Sequence, residues 1–397
     1  MIEIKSNFTN NSYRVDEEIS DGGFAHVYTG FSAGKKCALK IYKKMEDYDY
    51  FINEVKMNAE IAKIDRAPDH FCVAKDWFAS INLTNSEFPE MIYCLVYDHY
   101  AGNLYDLIRY CRKSDRKLSP KLIKYITNQI ITSVAALHIR NIIHTDIKPE
   151  NILLSHTPTE ILELSPKSYS KLKVVLCDFG TTTPSDNLFD LRVGTQIYQP
   201  PEMIVEDKYS ASADVWGLGC VIYELITLHT LFDVYESKGC KDWCHYECSS
   251  DEDSDTDSGE GSDIEGGDAD DSIHSGDSDS ATGSEYSHYT RPTVKQLNNF
   301  ELVYKHLHLI YKYLGKPNQE FYMCKLAAKY YTNEGVLKFH PSVDSLRIRD
   351  DLKSSGVIAK KCLDQVVNLL NSCLRYTPGT RANIMDLATD AWLNETS

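Results

Sequence analysis

The apolar positions change period along the chain. Through residues 13–45 they fall in short β-branched and aromatic runs, "YRVDEEI", "HVYTGF" and "KKCALKIYKK", with the turn "SDGGFA" between the first two. Runs of this length bounded by Gly and Asp predict strands. Residues 47–63 are richer in helix formers, and Phe51, Val55, Ala59 and Ala62 give a helical spacing. "MIYCLVYDHY" (91–100) predicts another strand, and from about 104 onward helical patterns dominate. "SPKLIKYITNQIITSVAALHIRN" opens a helix with Ser119 as N-cap and Pro120 at its first position. "VWGLGCVIYELITL" (215–228) is the most apolar stretch; with Asp214 before it and Glu224 inside it, it predicts a buried helix rather than a membrane span. Residues 300–397 predict several more helices. The pattern is α+β: a small strand-rich part, a break near 98–103 and a larger helical part.

Charge changes this picture at one place. The chain carries a formal net charge of −16, yet residues 251–280 hold 13 Asp and Glu and no Lys or Arg, which leaves −3 for everything else. A nearly neutral remainder argues against nucleic acid as a partner, since that needs a basic face. Residues 237–291, dominated by Asp, Ser and Gly, bury too little apolar surface to offset ordering and are expected to be a disordered insert within the helical part. The opening "MIEIKSNFTNNSYRV" is too polar for a signal peptide. The 12 Cys are then expected to be reduced thiols, and no membrane association is expected. Cys240, Cys244, His245 and Cys248 form a helical row, not a ribbon-type zinc signature.

Candidate chemistry lies in four short stretches. "ISDGGFAHV" (19–27) sets Gly22 and Gly23 between two strands, where backbone N–H groups can approach a phosphate unhindered; alone it equally fits a plain hairpin. "CALK" ends at Lys40, which can reach α- and β-phosphates if a carboxylate holds it, and Glu54 has roughly the right spacing. Taken singly, each reads as a solvated surface charge. "HTDIKPENILL" (144–154) changes that reading. There Asp146 can accept the proton of an attacking hydroxyl, Lys148 can neutralise a transferred phosphoryl group, and Asn151 can supply an oxygen to Mg2+. "VVLCDFG" then puts Asp178, a hard oxygen ligand, directly after an apolar strand. A phosphate clamp, metal ligands and an aligned base are the parts of phosphoryl transfer.

In this order the motifs resemble the eukaryotic-type serine/threonine protein kinases over residues 13–235 and 292–393. The resemblance implies a bilobal fold within 13–393, an N-lobe of about 13–98 and a C-lobe of about 99–393, with ATP and Mg2+ as cofactors. It implies that "GTQIYQPPE" (194–202) is the substrate-facing loop, that Asp214 holds the catalytic loop, and that Arg381 pairs with Glu202. Lys148 and Thr195 resemble the Ser/Thr-specific members. Besides Gly22, Gly23, Lys40 and Glu54, the implied ATP-binding residues are Val27, Ala38, Tyr97 at the back of the adenine pocket, backbone groups of Asp98 and Tyr100, and Asn103 at the ribose.

"HTDIKPENILL" is most similar to the catalytic loop of the SR-protein kinase branch, which also carries Thr where most kinases have Arg. The long link 155–171 and "YLGKPNQEFYMCKLAAKYYTNEGVLK" (313–338) are similar to that branch as well; "IYQPPE" departs from its Arg-rich form. Protein substrates of basic or Arg/Ser-rich character are implied, with the acidic insert as a steering tether. With no charge at Thr145 for a phosphate to balance, activity is expected without phosphorylation of the loop 181–193. A monomer is expected, inside the cell in cytoplasm or nucleus, or in a host cell if the source is a virus. The alternative is a pseudokinase, a binding module on the same fold, which Ser20 and Ala25 in place of glycines favour.

Overall fold

The computed structural model describes residues 2–21, 25–42, 47–82, 90–185, 193–205, 208–235, 299–338 and 346–395. Gly22, Gly23, Arg192, the acidic stretch 237–291 and the Cys240–Cys248 row lie outside the described residues. Residues 1–234 and 299–397 belong to one compact unit.

Six strands form one antiparallel sheet: β1 (Ile2–Lys5), β2 (Ser12–Asp21), β3 (His26–Ser32), β4 (Lys35–Tyr42), β5 (Asp76–Asn82) and β6 (Glu90–Asp98), in the order β1-β2-β3-β4-β6-β5. Strand alternation sorts the side chains cleanly. Cys37, Leu39 and Ile41 of β4 join Ile92, Cys94 and Val96 of β6, with Tyr13 and Phe78, in a core on one face. The opposite face carries Tyr42, Leu95 and Tyr97, which pack with Phe51 of the helix α1 (Tyr48–Ile61). Lys40 shares that second face, two residues from Tyr42.

The buried stripe of α1 is Phe51, Glu54, Met57, Asn58 and Ile61. This corrects the spacing expected from apolarity: Val55 is half-buried, and Ala59 and Ala62 are exposed. Two polar residues lie on the core side because the facing sheet offers them partners, so the hydrophobic pattern alone mis-set the rotation of the helix. A short turn, α2 (Ala67–His70), leads back to β5.

After Asp98 the chain crosses to the helical part through β7 (Gly102–Asn103) into α3 (Leu104–Lys113). The long helix α4 (Pro120–Ile139) starts as its sequence requires, with Ser119 Oγ accepting from Leu122 N at 3.2 Å. Beyond it come β8 (Ile142–Ile143), β9 (Ile152–Leu154), α5 (Pro158–Glu163), β10 (Val174–Leu176), β11 (Thr183–Pro184), α6 (Pro201–Ile204) and α7 (Ser212–Thr227). The link 155–171 contains α5 and a 3-10 turn, and a reciprocal cap between Thr157 and Glu160 opens α5. Every residue of α7 from Ala213 to Ile226 is buried, as a helix apolar on all sides must be. Among the described residues no helix is long and apolar enough to cross a membrane. Helices α8 (Asn299–Leu314), α9 (Gln319–Tyr322), α10 (Ile348–Ser355) and α11 (Leu363–Cys373) and two final short turns complete the part.

Candidate active site

Three elements bring Lys40, Glu54 and Asp178 together. Lys40 Nζ lies 2.6 Å from Glu54 Oε2 and 2.8 Å from Asp178 Oδ1. Glu54 is fully buried, and both of its carboxylate oxygens are engaged. Oε2 also accepts the Tyr42 hydroxyl, and Oε1 accepts the Tyr97 hydroxyl at 2.6 Å. Burial alone would lower the pKa of Lys40; the Asp178 carboxylate, and then that of Glu54, reverse this and hold it well above its ordinary value. Burial would likewise raise Asp178, and the Lys40 ammonium instead brings it down to about 2. Asp178 remains 41% exposed, unlike Glu54 at 1%. Phe179 beside it is fully buried against Phe71 and His144, and its burial fixes the direction in which Asp178 points.

The pairing of β9 with β10 sets Asn151 beside Cys177, the residue before Asp178. Ile152 pairs with Leu176, and Cys177 N donates to Asn151 O at 3.0 Å, so the residues flanking that pair lie side by side. Asn151 Nδ2 donates to Asp146 O (2.9 Å) and Oδ2 (3.0 Å). Asp146 Oδ1 accepts Thr195 N at 2.7 Å. Lys148 Nζ bridges Asp146 Oδ2 (2.7 Å) and Thr195 Oγ1 (2.5 Å). Burial opposes the charge on Lys148, yet the Asp146 carboxylate outweighs it and the pKa is raised.

The loop that holds these residues hangs on Asp214 at the start of α7. Its carboxylate accepts His144 N (2.9 Å), Thr145 N (2.8 Å) and His138 Nε2 (2.8 Å). Burial would raise its pKa, and the hydrogen bond from His138 leads the effects that lower it. Thr145 adopts φ +73, a conformation a β-branched residue resists, and the Asp214 bond to its N–H holds it there. Two glycines permit the close approach: a Cβ on Gly217 would sit 2.8 Å from Ile147 O, and one on Gly194 2.6 Å from Thr145 O.

Both described ends of the loop 181–193 are tied by neutral hydrogen bonds. The Thr145 hydroxyl donates to Thr181 O at 3.1 Å, and Asn53 Nδ2 on α1 donates to Gly180 O (2.8 Å) and Thr182 O (3.0 Å). Thr183 pairs with Ile143, and Gln199 Nε2 donates to Val193 O at 2.7 Å. Below this loop Arg381 grips Glu202 with both guanidinium ends, at 2.6 and 2.5 Å.

The expected adenine residues flank the crossing between the two parts. Val27 pairs with Lys40, Ala38 with Tyr97 and Cys37 with Asp98. The Asp98 side chain is exposed and ion-paired with Lys75, and Tyr100 is half-buried. Asn103, expected at the ribose, caps α3 through its Oδ1, which accepts Asp106 N at 2.9 Å. Tyr97, expected to gate the adenine pocket, also hydrogen-bonds Glu54. Sequence reasoning missed Tyr42, Asn53, Asn58 and Thr181. The signal for Tyr42 was its i+2 spacing from Lys40; that for Asn53 and Asn58 was their adjacency and i+4 spacing to Glu54.

The donor set suits a hard divalent cation. The Asp178 carboxylate stays ionised, its Oδ2 accepts no hydrogen bond among the described residues, and the Asn151 amide donates toward Asp146, which leaves Asn151 Oδ1 unused. These two oxygens would hold Mg2+.

The model of the protein kinase domain matches residues 13–393. The chain is 29% identical over 235 residues to "Dual specificity protein kinase lkh1" of Schizosaccharomyces pombe, covering 57% of this chain and 32% of that protein. It is 30% identical over 242 residues to "Serine/threonine-protein kinase AFC2" of Arabidopsis thaliana, covering 57% and 53%. It is 29% identical over 222 residues to the "Probable dual specificity protein kinase YAK1 homolog" of Encephalitozoon cuniculi, covering 55% and 49%. The matched segments span from about a third to about half the length of these curated relatives.

Proposed function

The chain belongs to the protein kinase family, and from that premise we propose that it transfers the γ-phosphoryl group of ATP to serine and threonine hydroxyls of proteins, without prior phosphorylation of its own loop 181–193. The observation that carries the reading is Lys148, which touches both Asp146 and Thr195. Asp146 is held by Asn151 and Thr195 N so that its carboxylate can orient an acceptor hydroxyl and take its proton. Lys148 stands beside it to neutralise charge on the group in transit. Lys40, fixed by Glu54, is aimed at the phosphates. The chemistry that a bound Mg2+ supplies is neutralisation of phosphate charge. An inert binding module would have no need for so complete a set.

Independence from loop phosphorylation rests on Thr145. With Thr rather than a cationic Arg at position 145, no charge there needs a loop phosphate to neutralise it, and the loop is tied instead through the Thr145 hydroxyl and Asn53. The SR-protein kinase branch is the finer assignment, supported by Thr145, the link 155–171 and the stretch 313–338. Basic substrates fit the acidic insert by charge. The chain is proposed to act as an intracellular monomer.

The test uses protein made in a bacterial host without protein kinases, treated with phosphatase and checked by mass spectrometry. It should phosphorylate Ser and Thr peptides with Mg2+ and ATP, Arg/Ser repeats best, and Asp146→Asn should lower turnover by about 10²–10⁴-fold while ATP still binds. Near-wild-type turnover by Asp146→Asn defeats the catalytic assignment. Activity absent after phosphatase and regained on phosphorylating the loop defeats the second half of the proposal.

A further inference from the structure

Three periodicities converge on the Glu54 carboxylate. Strand alternation puts Tyr42 on the same face of β4 as Lys40. The β4–β6 register sets Tyr97 opposite Ala38, on that face too. On α1, Asn58 follows Glu54 by four residues and shares its side of the helix. The result is a closed polar knot in an apolar shell of Ala25, Phe51, Cys72, Leu95 and Val175. Glu54 Oε2 takes Lys40 and Tyr42, and Oε1 takes Tyr97. Asn58 Nδ2 donates to Glu54 O at 2.8 Å and lies 3.4 Å from the Tyr97 oxygen, while its Oδ1 accepts Ala74 N at 2.8 Å. Lys40 alone would satisfy only one oxygen of the carboxylate.

We infer that Tyr42 and Tyr97 are positioning residues that clamp Glu54, and with it helix α1, in the arrangement that fixes Lys40. The inference rests on the kinase reading for its catalytic consequence only. Without the two hydroxyls, Oε1 has no donor among the described residues and Oε2 has Lys40 alone. A buried carboxylate left so is costly, and the helix gains by turning Glu54 toward water. With both hydroxyls, the inward arrangement is the resting state of the free protein, and neither a ligand nor a modification is needed to select it. The clamp also joins the loop after Asp178, because Asn53, next to Glu54, holds Gly180 and Thr182. Tyr97 thus has two tasks, since its ring lines the core beside the adenine-side strand and its oxygen holds the helix.

The experiment removes the oxygens and keeps the rings: Tyr42→Phe, Tyr97→Phe and the double variant, each in the full chain and also in a Glu54→Ala background. In the native background kcat should fall about three- to tenfold for each single variant and more than about tenfold for the double, with the KM for ATP within about threefold of wild type. Amide exchange across residues 48–61 should quicken about tenfold in the double variant. In the Glu54→Ala background the same changes should alter kcat less than about twofold, because the tyrosines act through Glu54. Wild-type kcat and wild-type exchange in the double variant overturn the clamp, and so does an undiminished tyrosine effect without Glu54. If the wild-type chain transfers no phosphate at all, the kinase reading fails, and the exchange measurement still decides the clamp.

Discussion

Glu54 in the strand-rich part and Glu202 in the helical part are each buried against a cation, and their surroundings differ. Glu202 meets Arg381, whose side chain is wholly buried, and every guanidinium N–H is used: Glu202 accepts two, Arg375 O accepts Nε at 2.8 Å, and Ser212 O and Tyr376 O accept the remaining two. The guanidinium carbon stacks 5.1 Å over Trp216. That pair is closed, and it ties α6 to the turn after α11. Glu54 meets Lys40 instead, and Lys40 keeps a second contact with Asp178, which faces outward. That pair is open on one side. A saturated buried ion pair serves the fold; one with an unsaturated, partly exposed member is built to receive something. The rigid planar fork of Arg suits the first task, and the compact ammonium of Lys suits the second.

The sharpest break of the comparison exchanges the two cations for neutral side chains. Lys40→Met should lower kcat/KM by at least about 10²-fold, on the scale of losing one preorganised donor, and should cost less stability than its counterpart because Tyr42 and Tyr97 still satisfy Glu54. Arg381→Ala should lower stability by about 3–5 kcal/mol, since Glu202 is left buried with no cation. Urea unfolding and steady-state rates on both variants check the pattern. If Lys40→Met is the less stable of the two, the division between an open and a closed pair is wrong.

Glu224 supplies the case with no ion-pair partner among the described residues. It is 1% exposed, and its donors among the described residues are hydroxyls, Tyr198 at 2.7 Å and Thr230 at 3.4 Å. Burial raises its pKa from 4.5 to about 7. The folded protein therefore keeps this proton where the unfolded chain has released it. Stability should fall as pH rises from about 4.5 to about 7 and then level off, by on the order of 3 kcal/mol. Glu224→Gln keeps an acceptor for Tyr198 and should flatten that slope. A slope equal to that of wild type in thermal melts across this range would show that the proton lies elsewhere.

These contrasts also mark what could be read in advance. Asp146, Lys148, Asn151 and the Asp214 helix were legible because each sits at a fixed spacing within one segment, and the cap at Ser119 needed only its neighbours. The Arg381–Glu202 pair joins residues far apart in sequence, and only the family resemblance brought it forward. The Glu54 knot was invisible for a different reason. It depends on the register of β4 against β6 and on the rotation of α1, which the apolar positions set wrongly because Glu54 and Asn58 occupy core-facing places. Strand β1 was missed because four residues, "IEIK", are too few to show a period; pairing with β2 makes it a strand.

The smallest effect belongs to a third kind of pair, out in solvent. Lys75 and Asp98 form an ion pair with both side chains more than half exposed, at 61% and 57%. Water screens such a contact, and fixing two mobile side chains offsets most of what remains. Lys75→Met should therefore change stability by less than about 1 kcal/mol, and the difference should vanish in 1 M salt, where the screening length is about 3 Å. The site lies beside the crossing between the two parts, so the variant tests more than stability. Asp98 is held in register by β6, through its pairing with Cys37, and its backbone does not depend on the Lys75 side chain. The KM for ATP should stay within about twofold of wild type. A several-fold rise would mean that an exposed pair positions the nucleotide edge, and burial would then no longer separate the ion pairs that matter here from those that do not.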